Sequence, residues 1–196
     1  MNERGIRNYA NSSIIGQVVI KDLDKNEIIL NKFNAINFEN MSVAIAKSIS
    51  GLTTGNMTTM VFGNGGSLVN GVGAITYLPP NVTGTTASLY NQTYSKTGLT
   101  SSSSSSVGFD ANNNIQINHL NGTFYTDAIV VCTLSYGEPS NQNAFDNDNA
   151  NGEYVFDEIG LMTEDGSLLS HVIFNPIQKS LNRQIQIQYT IRFAMS

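Results

Sequence analysis

The sequence predicts a mainly β protein, an antiparallel β-sandwich or jelly-roll-like domain carrying one α-helix, and three features predict it. Residues 184–193 alternate without a break, with Ile185, Ile187, Tyr189, Ile191 and Phe193 at the odd positions and Gln184, Gln186, Gln188, Thr190 and Arg192 between them. Because side chains alternate across a pleat, this is a strand with one dry face. Asp165-Gly166 separates two apolar runs, residues 154–162 and 168–174, and is the strongest short hairpin signal in the chain. Elsewhere many short apolar runs are divided by Gly, Pro, Asn and Ser, with a helical period in one place only.

Taken in order, residues 1–12 are polar and read as an N-terminal arm. Residues 14–20 and 27–33 are rich in Ile and Val and flank Asp22, Asp24 and Asn26, which predicts a β-hairpin. The helix follows over about 37–50, with Asn37 as N-cap, Glu39 in the first turn, an apolar stripe of Phe38, Met41, Ala44, Ile45 and Ile49, and Gly51 as the stop. Residues 52–108 are rich in Gly, Ser, Thr and Asn, with short β-like runs at 58–62 and 88–94, and read as a long loop or arm insertion. Residues 114–120 alternate, 123–135 form a run buried on both faces, and the hairpin about Asp165-Gly166 follows. Asn175-Pro176 is expected to end its second strand. The whole is a single domain over 1–196.

Of the 196 residues, 13% are charged, against about 25% in ordinary soluble domains, and Asn, Ser, Thr, Gln and 17 Gly take their place. Such a surface suits a permanent assembly or a particle-bound β protein. Net charge is −5, and no Lys or Arg stands between Lys96 and Lys179, so a nucleic-acid partner is not expected. Cys132 lies in an apolar run and has no second cysteine to pair with. Asn-Ser follows the N-terminal arginines where a secretory signal would be apolar, and no run approaches the roughly 20 residues of a membrane span. The expectation is synthesis in a cytoplasm and no membrane partner.

Motifs for chemistry are sparse. Asn147, Asn149 and Asn151, with Gly152 and Glu158, approach the spacing of a calcium loop, but Asn147 stands where Asp is usual and a strand follows where a helix should. A solvated Asn/Asp turn is the blander account, and neither metal nor cofactor is expected. His119 and His171 lie in strand-like runs with no Gly-x-Ser-x-Gly elbow nearby. Asp157-Glu158 could serve glycoside hydrolysis only across a cleft, and adjacent strand residues point to opposite faces. Hence no catalytic residue is assigned.

The order Glu158-Ile159-Gly160-Leu161, Asp165-Gly166, His171 through Phe174 and Pro176, Lys179, Arg183 and the closing strand resembles a segment of virion structural proteins of tailed bacteriophages, over residues 153–195. The resemblance implies a non-enzymatic particle component in the neck, tail or baseplate region, present as a homo-oligomeric ring, assembled in the host cytoplasm and touching other virion structural proteins. A glycan-binding or host-attachment module is the alternative. In such a ring Gln184, Gln186, Gln188 and Arg192 are candidates for hydrogen bonds between subunits.

Overall fold

A computed structural model describes residues 11–101, 113–140 and 154–195. Its strands are β1 (Ser12–Asp22), β2 (Glu27–Ile36), β3 (Met57–Gly63), β4 (Ser67–Val69), β5 (Ile75–Tyr77), β6 (Gln92–Lys96), β7 (Thr100–Ser101), β8 (Asn114–His119), β9 (Tyr125–Leu134), β10 (Tyr154–Thr163), β11 (Leu168–Lys179) and β12 (Ile185–Met195). Helix α1 (Phe38–Ile49) and a single 3-10 turn, Thr53–Gly55, separate β2 from β3. Ten strands form one sheet in the order β6-β3-β10-β11-β2-β1-β12-β9-β8-β7, antiparallel except between β7 and β8, while β4 and β5 form a separate ribbon. The mainly antiparallel β class is as the alternation predicts.

Strand pairing explains the curl of the sheet. β1 pairs with β12 along its whole length, from Ser12↔Met195 to Asp22↔Ile185, whereas β2 meets β11 only through Ile36↔Ser170 and Ala35↔His171. The sheet turns over at this narrow seam, and its two halves bury one core. Val18, Cys132 and Ile187 come from one half, and Phe62, Phe156 and Val172 from the other. Lys179 is fully buried on β11, and its ammonium donates to Ser135 O and Glu138 O in the turn after β9, at 3.0 and 2.7 Å. Lys96 on β6 pairs with Glu138 of the same turn.

Several expectations need correction. Residues 52–101 are not one loop: β3 lies between β6 and β10 in the sheet, with Met60, Val61 and Phe62 buried, while β4 and β5 stand apart, and residues 102–108 lie outside the described ones. The seven-residue run of β3 is outweighed in the sequence by its Gly- and Thr-rich flanks, and long-range pairing with β10 overrides them. Ser12, placed in the N-terminal arm, already opens β1, and residues 1–10 lie outside the described ones. Nor does Asn175-Pro176 end β11, which runs on to Lys179. Phe156 pairs with Ile177 and Glu158 with Ile173, so Phe174, Asn175 and Pro176 stand against Asp157 alone. In this bulge the missing N–H of Pro176 breaks no ladder bond.

The helix forms where its signals place it. Asn37 Oδ1 accepts from Asn40 N–H as the N-cap, and Gly51 leaves the last turn at φ 79°. Its buried face is narrower than expected. Met41 and Ala44 are buried, but Phe38 and Ile49, the ends of the predicted stripe, are 65% and 83% exposed. The 3-10 turn packs closely on α1: a Cβ on Gly55 would lie 2.6 Å from Ala44 O. Beside α1 a cleft of about 570 Å³ is left open, walled by Met41 and Ile45 of the helix, Met57 of β3, Leu99, Ile115 of β8 and Phe193 of β12. Among the described residues no helix is long and apolar enough to cross a membrane.

Candidate functional site

The most unusual surface is the β4–β5 ribbon. Ser67↔Tyr77, Leu68↔Thr76 and Val69↔Ile75 pair, and Asn70 closes the turn by accepting from Val72 N–H and Ala74 N–H through its side chain, with Gly73 at φ 80°. The ribbon presents Leu68 at 58%, Val69 at 66% and Val72 at 89% exposure, with Ile75 and Tyr77 less so. No charged side chain stands between Lys47 and Lys96, so neither the ribbon nor its flanks carry any. Charge-free apolar surface of this kind is a candidate contact surface.

A lone two-stranded ribbon is marginal in water, so its base must hold it. Two adjacent carboxylates of β10, opposite the β11 bulge, do so. Glu158 Oε1 accepts from Gly65 N–H (3.1 Å) and Asn91 N–H (2.8 Å), and Oε2 from Tyr90 N–H (3.0 Å) and His171 Nε2–H (2.9 Å). Asp157 accepts from Gly66 N–H and Ser67 N–H at 2.9 and 2.8 Å, and from the Ser67 hydroxyl. His171 Nδ1 in turn accepts from Asn81 N–H at 2.9 Å, which fixes the ring proton on Nε2. Tyr77 donates its hydroxyl to Asn175, and Leu78 N–H donates to Gly66 O. The approach is too close for side chains: a Cβ on Gly63 would meet Asn91 O and Glu158 Oε1 at 2.5 Å.

The alternation rule sets Asp157 and Glu158 on opposite faces, but the bulge turns both toward the 64–91 segment. Their chemistry diverges. Burial pushes the Asp157 carboxyl up, against the hydrogen bonds from Ser67 and Gly66. Burial also opposes ionisation of Glu158, yet His171 and the three backbone donors outweigh it and hold that carboxyl below its ordinary range. Two carboxylates pushed apart can signal acid–base catalysis. Here Glu158 and His171 are fully buried, and all four acceptor sites of Glu158 are filled from within the chain. The cluster acts as a clamp, and Glu158 has no lone pair left for a substrate proton.

Other sequence candidates fall elsewhere. Asn147, Asn149 and Asn151 lie outside the described residues, while Glu158 spends its oxygens on the clamp. Among the described residues no group of three or more His, Cys, Asp or Glu could hold a metal. His119 is exposed and bonds Tyr125 O and the Thr126 hydroxyl, far in sequence from the His171 cluster.

The closing polar row is divided between buried and exposed positions. Gln186 is buried, and its amide donates to Thr133 Oγ1 on β9 at 3.2 Å. Arg192 grips Asp127, its register partner on β9, at 2.8 and 2.9 Å, and lies 4.1 Å over the Tyr125 ring. Gln184 and Gln188 are half-buried, and Gln184 N–H donates to Asp24. β12 is an interior strand between β1 and β9, so Gln186 and Arg192 bond across to β9, while Arg192 stays exposed and Gln184 and Gln188 half-exposed. The ribbon was the overlooked surface, and its signal was Val69-Asn70-Gly71-Val72 within a charge-free stretch.

No family model matches this chain, and no curated protein or solved structure matches it.

Proposed function

We propose that this chain is a non-enzymatic structural subunit of a tailed-bacteriophage virion, present as a multimeric ring in the neck, tail or baseplate region and touching neighbouring subunits through its projecting segments. The resemblance over residues 153–195 supplies the particle; these residues include β10, β11 and β12, which carry the clamp and the centre of the sheet.

The observation that carries assembly is the apolar β4–β5 ribbon held out on a buried clamp. Val72 is 89% exposed on a ribbon without charge, and burying one such side chain is worth about 1.5–3 kcal/mol. A subunit that remains alone leaves that free energy unused. One in a ring gains it at every contact, and repetition multiplies the effect. The clamp fits this role because it fixes the ribbon before contact and lowers the ordering cost of association.

Sedimentation velocity over a wide concentration range tests the reading. Wild-type protein is expected to form a discrete oligomer, and Val72→Asp to shift it toward monomer while keeping the circular dichroism spectrum of the folded chain. A wild-type chain that sediments as a monomer at every concentration contradicts it.

A further inference from the structure

The base of the ribbon and the cleft beside α1 lie at opposite ends of β3 and β11. β3 begins at Met57, in the cleft wall, and ends at Gly63, beside the clamp that carries the ribbon. β11 repeats the relation: Leu169 lines the cleft, and Asn175 takes the hydroxyl of Tyr77. Six residue steps along either strand span about 20 Å. A ribbon therefore cannot fill the cleft of its own chain.

We propose that the β4–β5 ribbon of one copy docks in the α1 cleft of a second copy, so that successive subunits join head to tail. The inference rests on the assembly reading above and names the two surfaces. Both lack charge: no charged residue lines the cleft, and none occurs on the ribbon. A charged partner would lose its hydration on entering the cleft with nothing there to replace it. A neutral apolar projection loses little. The cleft's volume falls within the 300–1,000 Å³ typical of sites that enclose a bulky apolar group. Its rim is apolar as well, with Ile117 at 64% and Ile49 at 83% exposure, so a ribbon seated there covers surface on both partners that is otherwise wetted.

Copies that stack in the same sense repeat the contact heterologously and close a ring or extend a filament, whereas two copies that exchange ribbons about a two-fold axis would stop at a dimer. An isologous pairing of two ribbons would stop at two copies. This difference gives the experiment its resolution.

Val72→Cys and Ile49→Cys introduce thiols at highly exposed positions, separately and together, for treatment with a short bismaleimide. The native Cys132 is buried, and burial pushes its thiol up to about 12, so it stays silent at neutral pH. The double variant is expected to give a ladder of covalent multimers, and each single variant only monomer. Val72→Asp and Ile49→Lys should each weaken wild-type association by about tenfold or more. A covalent dimer from Val72→Cys alone overturns the head-to-tail contact in favour of ribbon pairing. An oligomer that forms but yields no ladder, or that both charge variants leave intact, overturns the inference while the assembly reading stands. A monomeric wild type ends both.

Discussion

At the scale of single residues, the clamp is a closed set of donors and acceptors, and removing one member leaves the rest buried without partners. Glu158→Gln replaces two acceptor sites with an N–H₂ facing backbone donors, and His171→Ala strips Glu158 of one donor and Asn81 N–H of its acceptor. Each is expected to cost about 1–3 kcal/mol in chemical denaturation for every buried group left without a partner. Unchanged stability would show that the clamp bears no load. The pH dependence follows from the depressed Glu158 carboxyl. Its ordinary value is 4.5 and its folded value lower, so its contribution is complete above 4.5 and is lost as pH falls through the folded value. Asp157 runs the other way: its raised carboxyl takes stability away as pH climbs from 3.8 through the folded value. Melting temperature measured between pH 3 and 6 should therefore fall less on acidification in Glu158→Gln than in wild type. These roles were invisible to alternation alone. Glu158 stood out in the sequence as the last position of a calcium-like spacing and as half of an adjacent carboxylate pair, but not as a clamp, because the bulge that aims it depends on where Asn175 and Pro176 fall in the neighbouring strand.

At the scale of elements, the sequence was most legible where period and punctuation agreed. The β10–β11 hairpin, the β1–β2 hairpin, the N-cap at Asn37 and the dry face of β12 follow from alternation and turn residues. The partners of the polar row of β12 were not legible. Whether the polar face of a strand meets water depends on which strands flank it, and the cross-strand partners Thr133 and Asp127 are more than fifty residues from Gln186 and Arg192. The ribbon was hidden by its glycines, which read as loop. Since Leu68, Val72 and Ile75 are exposed, replacing all three with Ser should change stability by no more than about 0.5 kcal/mol per site while abolishing association. Light scattering and thermal denaturation on the same preparation check this, and loss of fold would place these side chains in the core instead. Charge reversal of Arg192, by contrast, sets two carboxylates face to face across β12 and β9. It should lower the melting temperature rather than act on assembly alone.

At the scale of the molecule, one curled sheet does two things: it buries a shared core, and it carries a ribbon and a cleft to opposite ends of the same strands. Closure depends on Lys179, whose three carbonyl partners, Ser135, Glu138 and Ser180, lose their donor in Lys179→Met. A loss of roughly 1–3 kcal/mol per carbonyl left dry, partly offset by the apolar side chain, is expected in urea unfolding. The low charge of the chain, legible from composition, agrees with a subunit that meets other subunits more than solvent. The virion role we propose makes the most direct demand. Tailed particles purified from cells carrying this gene should contain the chain in multiple copies, and gold-labelled antibody should mark one region of the neck, tail or baseplate by electron microscopy. Its absence from every particle, with all of the chain recovered free in the lysate, would contradict the account.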